Sequence, residues 1–316
     1  MQTFSAIAGR RAKRDSRALD RPPRAYGLNA STQDLVANLA RRFRHPLRTA
    51  WHAVLGAAFA IAAAGAHADT IRIGGTGTGL GTVKLMAQVF NKSRPDAKLS
   101  ITPSLGSTGG IRAVLAGALD IGISARPATA EEQRQGASAQ AYAKTPFVIA
   151  VGAKSSSGGL SLAQLAQIYS GKVTHWPDGS LIRLVVRPDA DADTIQIRTF
   201  SAEMSQAVTA ALARKGLRMA DTDQDNADAL EQLSGSLGTA TLTQIVTEQR
   251  ALKALDFDGV TPTLEALAAG RYRHFKTLYL VTGRNPSPLT KDFVAFVYSP
   301  AGQAVLAKSG NLALRN

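Results

Sequence analysis

The run Leu105-Gly106-Ser107-Thr108-Gly109-Gly110 sets hydroxyl-bearing and glycine residues directly before apolar positions at Ile111, Val114, Leu115 and Ala118. That apolar spacing of i, i+3, i+4 and i+7 is one face of an amphipathic helix, so the run is placed as the loop that opens it. Glycines there let backbone N–H groups face a solute, and the amino end of a helix attracts negative charge. The chemistry expected is noncovalent capture of a small anion. The plainer alternative is that Ser107 caps the helix and the glycines turn the chain.

Residue types for covalent chemistry are sparse. Beyond residue 68 the histidines are His175 and His274, and neither stands in a nucleophile pattern or a metal-ligand spacing. No G-x-S-x-G elbow occurs. The run Gly75-Thr-Gly-Thr-Gly-Leu-Gly81 fails the dinucleotide fingerprint because Leu80 takes its last glycine position, and it lacks the Gly-Lys-Ser/Thr ending of a P-loop. Asp189, Asp191 and Asp193 alternate as calcium-loop carboxylates do, but the loop's glycine and distant glutamate are missing. The reading is therefore of a protein that is not an enzyme and needs no cofactor.

The elements that position the anion loop follow a long N-terminal segment. Residues 1–40 are basic and poorly patterned, and read either as unstructured chain or as an extension from a start placed too far upstream. Residues 41–68 combine an arginine cluster, an apolar run from Ala53 to Gly65 and the A-x-A site Ala66-His67-Ala68. That is the pattern of a cleavable export signal, with cleavage expected between Ala68 and Asp69 and a periplasmic destination. The apolar run is short for a membrane span, which takes about 20 residues.

Removing this segment changes the charge. The chain as a whole carries a formal +14, whereas residues 69–316 hold 26 basic and 20 acidic residues, a net +6. Nucleic-acid binding loses most of its support, and a mildly positive field suits an anion. Cysteine is absent, so disulfides and thiolate metal sites are excluded.

From residue 70 onward, strand-like and helix-like segments alternate: strand Thr70–Ile73, helix Thr82–Asn91, strand Leu99–Pro103, the helix after Gly110, and strand Asp120–Ser124. A β-α-β-α-β order predicts a parallel sheet with ligands at the carboxyl ends of its strands. Thr76 to Thr82, Ser104 to Gly110 and Ser124 to Arg126 would then converge on one crevice. Apolar strands at Thr145–Val151 and Thr277–Val281 bracket a second alternating set. That set includes a capping box at Ser161 and Gln164, a strand at Arg183–Arg187, a helix at Ser201–Arg214 and a short strand at Gly238–Thr241. Helices at Pro288–Val297 and Pro300–Ala307 close the chain. The chain leaves one lobe and returns to it, which predicts an α/β architecture of two lobes, each a sheet flanked by helices, hinged by two crossing strands. Residues 69–148 and 279–316 would form the first lobe and 149–278 the second.

The chain resembles periplasmic solute-binding proteins of the phosphate ABC transporter type. The resemblance rests on Ser107-Thr-Gly-Gly110, Asp120-Ile-Gly-Ile-Ser124, Leu162-Ala-Gln-Leu165 with Ile168-Tyr-Ser-Gly-Lys172 and Trp176, Arg187-Pro-Asp189, Asp223-Gln-Asp-Asn226, and Phe293-Val-Ala-Phe-Val297 to Ser299-Pro-Ala-Gly-Gln303. It implies a type II periplasmic-binding fold, a small oxyanion such as phosphate between the lobes, and delivery to a membrane permease by a monomer. A sensor or partner-binding module on the same fold is the alternative. Carried over by position, it makes Thr76, Thr78 and Leu80 contacts of the first loop. Ser107, Thr108, Gly109 and Gly110 serve the second loop, Ser124 and Arg126 the third, and Arg187 the second lobe.

Two departures stand out. Ala125 occupies the place where the family often has an acid. Asp191 and Asp193 replace hydroxyl donors, and a carboxylate about 4 Å from an anion repels it by about 4 kcal/mol at an effective dielectric of 20. Three arrangements relieve this: the two acids cap the following helix, they pair with Arg187 or Arg198, or the ligand itself brings donors.

Overall fold

The structure is a computed structural model that describes residues 70–315. The expected N-terminal extension, export signal and cleavage position lie outside the described residues.

Strand β1 (Thr70–Gly75) pairs in parallel with β2 (Lys98–Ser104) and β3 (Ile121–Ser124), joined by helices α1 (Gly77–Ser93) and α2 (Gly106–Leu115). After the short helix α3 (Ala130–Gln135) comes β4 (Ser138–Gly152), the longest strand. The second set comprises β5 (Gly159–Leu160), α4 (Leu162–Ser170), β6 (Arg183–Val186), α5 (Ala192–Arg198), α6 (Ala202–Ala213) and β7 (Arg218–Met219). It continues through α7 (Asp223–Gln232), β8 (Ser236–Thr241), α8 (Leu242–Thr247), β9 (Leu252–Ala254), β10 (Asp256–Phe257) and α9 (Leu264–Ala268). Strand β11 (Phe275–Thr282), helices α10 (Pro288–Tyr298) and α11 (Pro300–Lys308), and β12 (Leu312–Ala313) complete the chain.

The main sheet runs β2-β1-β3-β11-β4-β8-β6-β7. The parallel order predicted for β1, β2 and β3 is present, and the crossing strands make the sheet as a whole mixed: β11 is antiparallel to both β3 and β4, and β4 to β8. The reason is the chain's path. β4 carries it out of the first lobe and β11 carries it back, so the two neighbours run in opposite directions. β4 pairs with β11 through Pro146 and with β8 from Phe147 onward. Pro146 has no N–H for a ladder, and it stands where the partner changes.

Period-two alternation divides the apolar stretch of β4 between two cores of the second lobe. Phe147, Ile149 and Val151 pack with Leu165, Tyr169, Trp176 and Met204, while Val148 and Ala150 face Ala227, Leu230 and Ala240. The first lobe buries Ile71, Ile73, Met86, Phe90, Ile123, Tyr142 and Phe293, with the Phe90 and Phe293 rings edge-on at 5.3 Å. The predicted capping box is present: Ser161 accepts the Gln164 amide while Gln164 accepts the Ser161 amide.

Both glycine-rich segments are helical earlier than expected. α1 begins at Gly77, five residues before Thr82, and α2 at Gly106, so Ser107 to Gly110 are its first turns rather than a loop before it. Glycine inside a helix costs about 1 kcal/mol relative to alanine. Packing offsets it at Gly110, where a Cβ would stand 2.7 Å from the Cα of Gly75. Only a bare helix face can lie this close to β1.

Candidate functional site

A cleft of about 390 Å³ opens between the lobes. Thr76, Leu105, Gly106, Ser107, Thr108 and Arg126 line it from the first lobe. Pro188, Ala190, Asp191, Asp193, Ile195, Asp221 and Asp223 face them from the second.

The amino end of α2 is the anion-compatible feature of the first lobe. Leu105 precedes it and no side chain caps it, so its first-turn amides are donors without a side-chain acceptor at the cleft wall. Ser107 is therefore not a cap. Its Oγ accepts the Ala125 amide at 2.9 Å, which leaves its hydroxyl proton available to a ligand oxygen. Thr108 is exposed beside it. Gly109 lies one residue further along the helix, and Gly110 is spent on packing against β1.

Several expected contacts are already engaged. Leu80 belongs to the first-lobe core. The Ser124 hydroxyl donates to the Arg126 carbonyl at 2.6 Å and accepts the Arg126 amide at 3.1 Å, closing a local turn. Arg126 is held by Glu132 in a two-pronged pair, both bonds at 2.8 Å, and its Nη2 also donates to Thr108 at 3.2 Å. The guanidinium holds the Glu132 carboxyl down at about 2. Arg187 donates to both oxygens of Asp191, at 2.7 and 3.3 Å, and to the Ala220 carbonyl at 2.8 Å. Neither arginine is thus a free clamp: each has a fork geometry that a nearby carboxylate satisfies first.

The two unexpected acids have separate answers. Asp191 is the N-cap of α5, accepting the Asp193 amide at 2.9 Å, and it carries the Arg187 pair as well. Asp193 is buried, where it accepts from Thr239 at 2.8 Å and is in direct contact with the Lys276 ammonium. Burial works against charge on Lys276, but Asp193, Asp223 and Asp191 around it outweigh that and hold its pKa above the ordinary lysine value. Burial also presses Asp193 upward, yet Lys276 and Arg187 bring it below the ordinary carboxylate value. Asp191 goes the other way, raised by burial and by the neighbouring Asp193 charge. Arg198 pairs with Asp189 at 2.7 Å, away from both.

Sequence reasoning missed Glu132, Lys276 and the role of Asp223. Lys276 carried a signal: it interrupts the inward face of an otherwise apolar strand, and a lysine is buried only when paired. Thr76 and Thr78 are buried against Asp223, which accepts the Thr76 hydroxyl at 3.0 Å and the Thr78 amide at 2.9 Å. His175 bonds Thr174 on the surface, and His274 stacks among Phe200, Phe257 and Tyr272; neither lines the cleft.

Fold and cleft together define a two-lobed binding protein whose ligand would lie between the lobes. The chain belongs to the PBP superfamily, whose domain model matches residues 60–301. It is 34% identical over 91 residues to the phosphate-binding protein PstS 2 of Streptococcus pneumoniae, an alignment covering 29% of this chain and 31% of that one. The chain thus matches less than a third of the length of its curated relatives.

Solved structures share the fold at lower identity. A Clostridium perfringens chain with bound phosphate, provisionally assigned as a phosphate ABC transporter substrate-binding protein, is 21% identical with a TM-score of 0.67, covering 78% of this chain and 100% of that one. A phosphate-binding protein from Stenotrophomonas maltophilia is 16% identical with a TM-score of 0.58, covering 78% and 91%. The molybdate-binding protein of Azotobacter vinelandii is 14% identical with a TM-score of 0.54, covering 78% and 100%.

Proposed function

We propose that this protein is the substrate-binding component of an ABC transporter and captures a small oxyanion, phosphate foremost, between its two lobes. The observation that carries the reading is the uncapped amino end of α2, with the Ser107 hydroxyl held by the Ala125 amide and its proton left over for a ligand, opening on a cleft shared by both lobes. The phosphate-binding and molybdate-binding relatives support it. Capture and delivery to a permease, without chemistry on the ligand, is the activity proposed. The protein acts as a monomer in the periplasm, reached through an export signal removed between Ala68 and Asp69. Residues 69–148 with 279–316, and 149–278, are the moving halves.

The residues assigned to the ligand are Ser107, Thr108 and Gly109 from α2, with Thr76, Thr78 and Arg126 beside them and Arg187 opposite. Calorimetric titration against phosphate, with sulfate and molybdate as comparisons, tests the reading. Micromolar or tighter phosphate binding is the expected result. Silence with all three anions would turn the fold to another ligand, and the sensor or partner-binding alternative would then stand. The pairing of Arg126 and Arg187 with internal carboxylates is the observation on that side.

A further inference from the structure

The first amides of a buried helix need an acceptor, and a side chain at the N-cap is the usual one. At α1 the extended residue Thr76 precedes the helix, yet its side chain makes no cap bond. The acceptor comes instead from the other lobe. Through a single oxygen, Oδ2, Asp223 at the start of α7 accepts the Thr76 hydroxyl at 3.0 Å and the Thr78 amide at 2.9 Å. Its second oxygen lies 4.0 Å from Nη2 of Arg187. Gly77 permits the approach, since a Cβ there would stand 2.8 Å from both Cβ and Oδ2 of Asp223. Asp223 is only 7% exposed, although it borders the cleft.

A carboxylate carried by one lobe therefore sits on donors of the other, and those donors are the ones assigned above to an oxyanion. We infer that Asp223 is a tethered competitor of the ligand. Before a ligand arrives it latches the lobes together through the α1 donors, and a bound oxyanion displaces it. The residue thereby determines specificity. A solute with one weak charge gains nothing over the internal carboxylate, while an oxyanion with more charge and more acceptor atoms does. The competition rests on the function proposed above; the latch rests only on the bonds just described.

The chain has no cysteine, so Gln135→Cys on α3 and Lys215→Cys after α6, both exposed, carry a unique pair of spin labels. Pulsed EPR on oxyanion-free protein then reports the separation of the lobes. Asp223→Asn keeps the shape and one acceptor oxygen but removes the charge, so both bonds to that oxygen lose their charge assistance and the latch weakens. It is expected to lengthen and broaden the distance distribution, and to bind inorganic phosphate about tenfold tighter or more by calorimetry. An unchanged distance distribution, or phosphate affinity that is equal or weaker, overturns the inference. Should Asp223→Asn fail to fold, Thr76→Val removes the hydroxyl donor and serves the distance measurement with the same expectation. If neither the variant nor the unsubstituted protein binds phosphate, sulfate or molybdate, the oxyanion function falls, and the distance measurement alone decides the latch.

Discussion

Ser107 and Glu132 show how single side chains set the character of the first-lobe wall. The Ser107 hydroxyl is fixed by the Ala125 amide and keeps its own proton for the cleft. Ser107→Ala is expected to weaken phosphate binding by about 1–3 kcal/mol, the usual result of deleting a donor to a charged group, as read by calorimetry. Unchanged affinity would take the hydroxyl out of the site. Glu132 is held at about 2, below its ordinary 4.5, by the Arg126 fork. Because the folded value is the lower one, its stabilisation is complete above about pH 4.5 and is lost as pH falls toward 2. Thermal melts across that window should decline less steeply for Glu132→Gln than for the unsubstituted protein.

The elements depend on contacts that residue types alone do not reveal. α2 rests on β1 through Gly110, and Gly110→Ala forces the two apart. A cost of about 1–3 kcal/mol is expected, measured as a lower urea midpoint with little change in slope. α5 is tied to β11 by the buried Asp193 and Lys276 pair. Lys276→Met leaves the buried Asp193 charge without its ion-pair partner and should cost about 3–5 kcal/mol, whereas Asp193→Leu combined with Lys276→Met should recover much of that loss. Equal destabilisation in the single and double variants would contradict this account of the pair.

At the scale of the whole molecule, the shared strand matters most. β4 enters the cores of both lobes within one uninterrupted run, so neither core forms fully without it. Scanning calorimetry should therefore show one cooperative transition, and two resolved transitions would mean that the lobes fold separately. Phosphate at about 100 times its Kd should raise stability by about 2.7 kcal/mol through mass action, visible as a higher Tm. Sulfate at the same concentration should raise it less if phosphate is the preferred ligand.

The sequence by itself determined the alternation of the first strands and helices, the two apolar crossing strands and the Ser161 capping box. Each of these is written in local periodicity or in residues three or four apart. It left the start of both glycine-rich helices late, because local propensity penalises glycine and the compensating close approaches, of Gly110 to β1 and of Gly77 to Asp223, are tertiary. It gave the parallel set β1, β2 and β3 but not the antiparallel placement of β11 and β4 beside it, because strand direction across a crossover depends on where the chain returns. Only the folded chain decided which charges neutralise one another. Arg126, Arg187, Asp193 and Asp223 find partners that include groups 83 to 147 residues away in the last two cases, and no spacing rule reaches that far. Burial then turns those pairings into the electrostatics of the cleft.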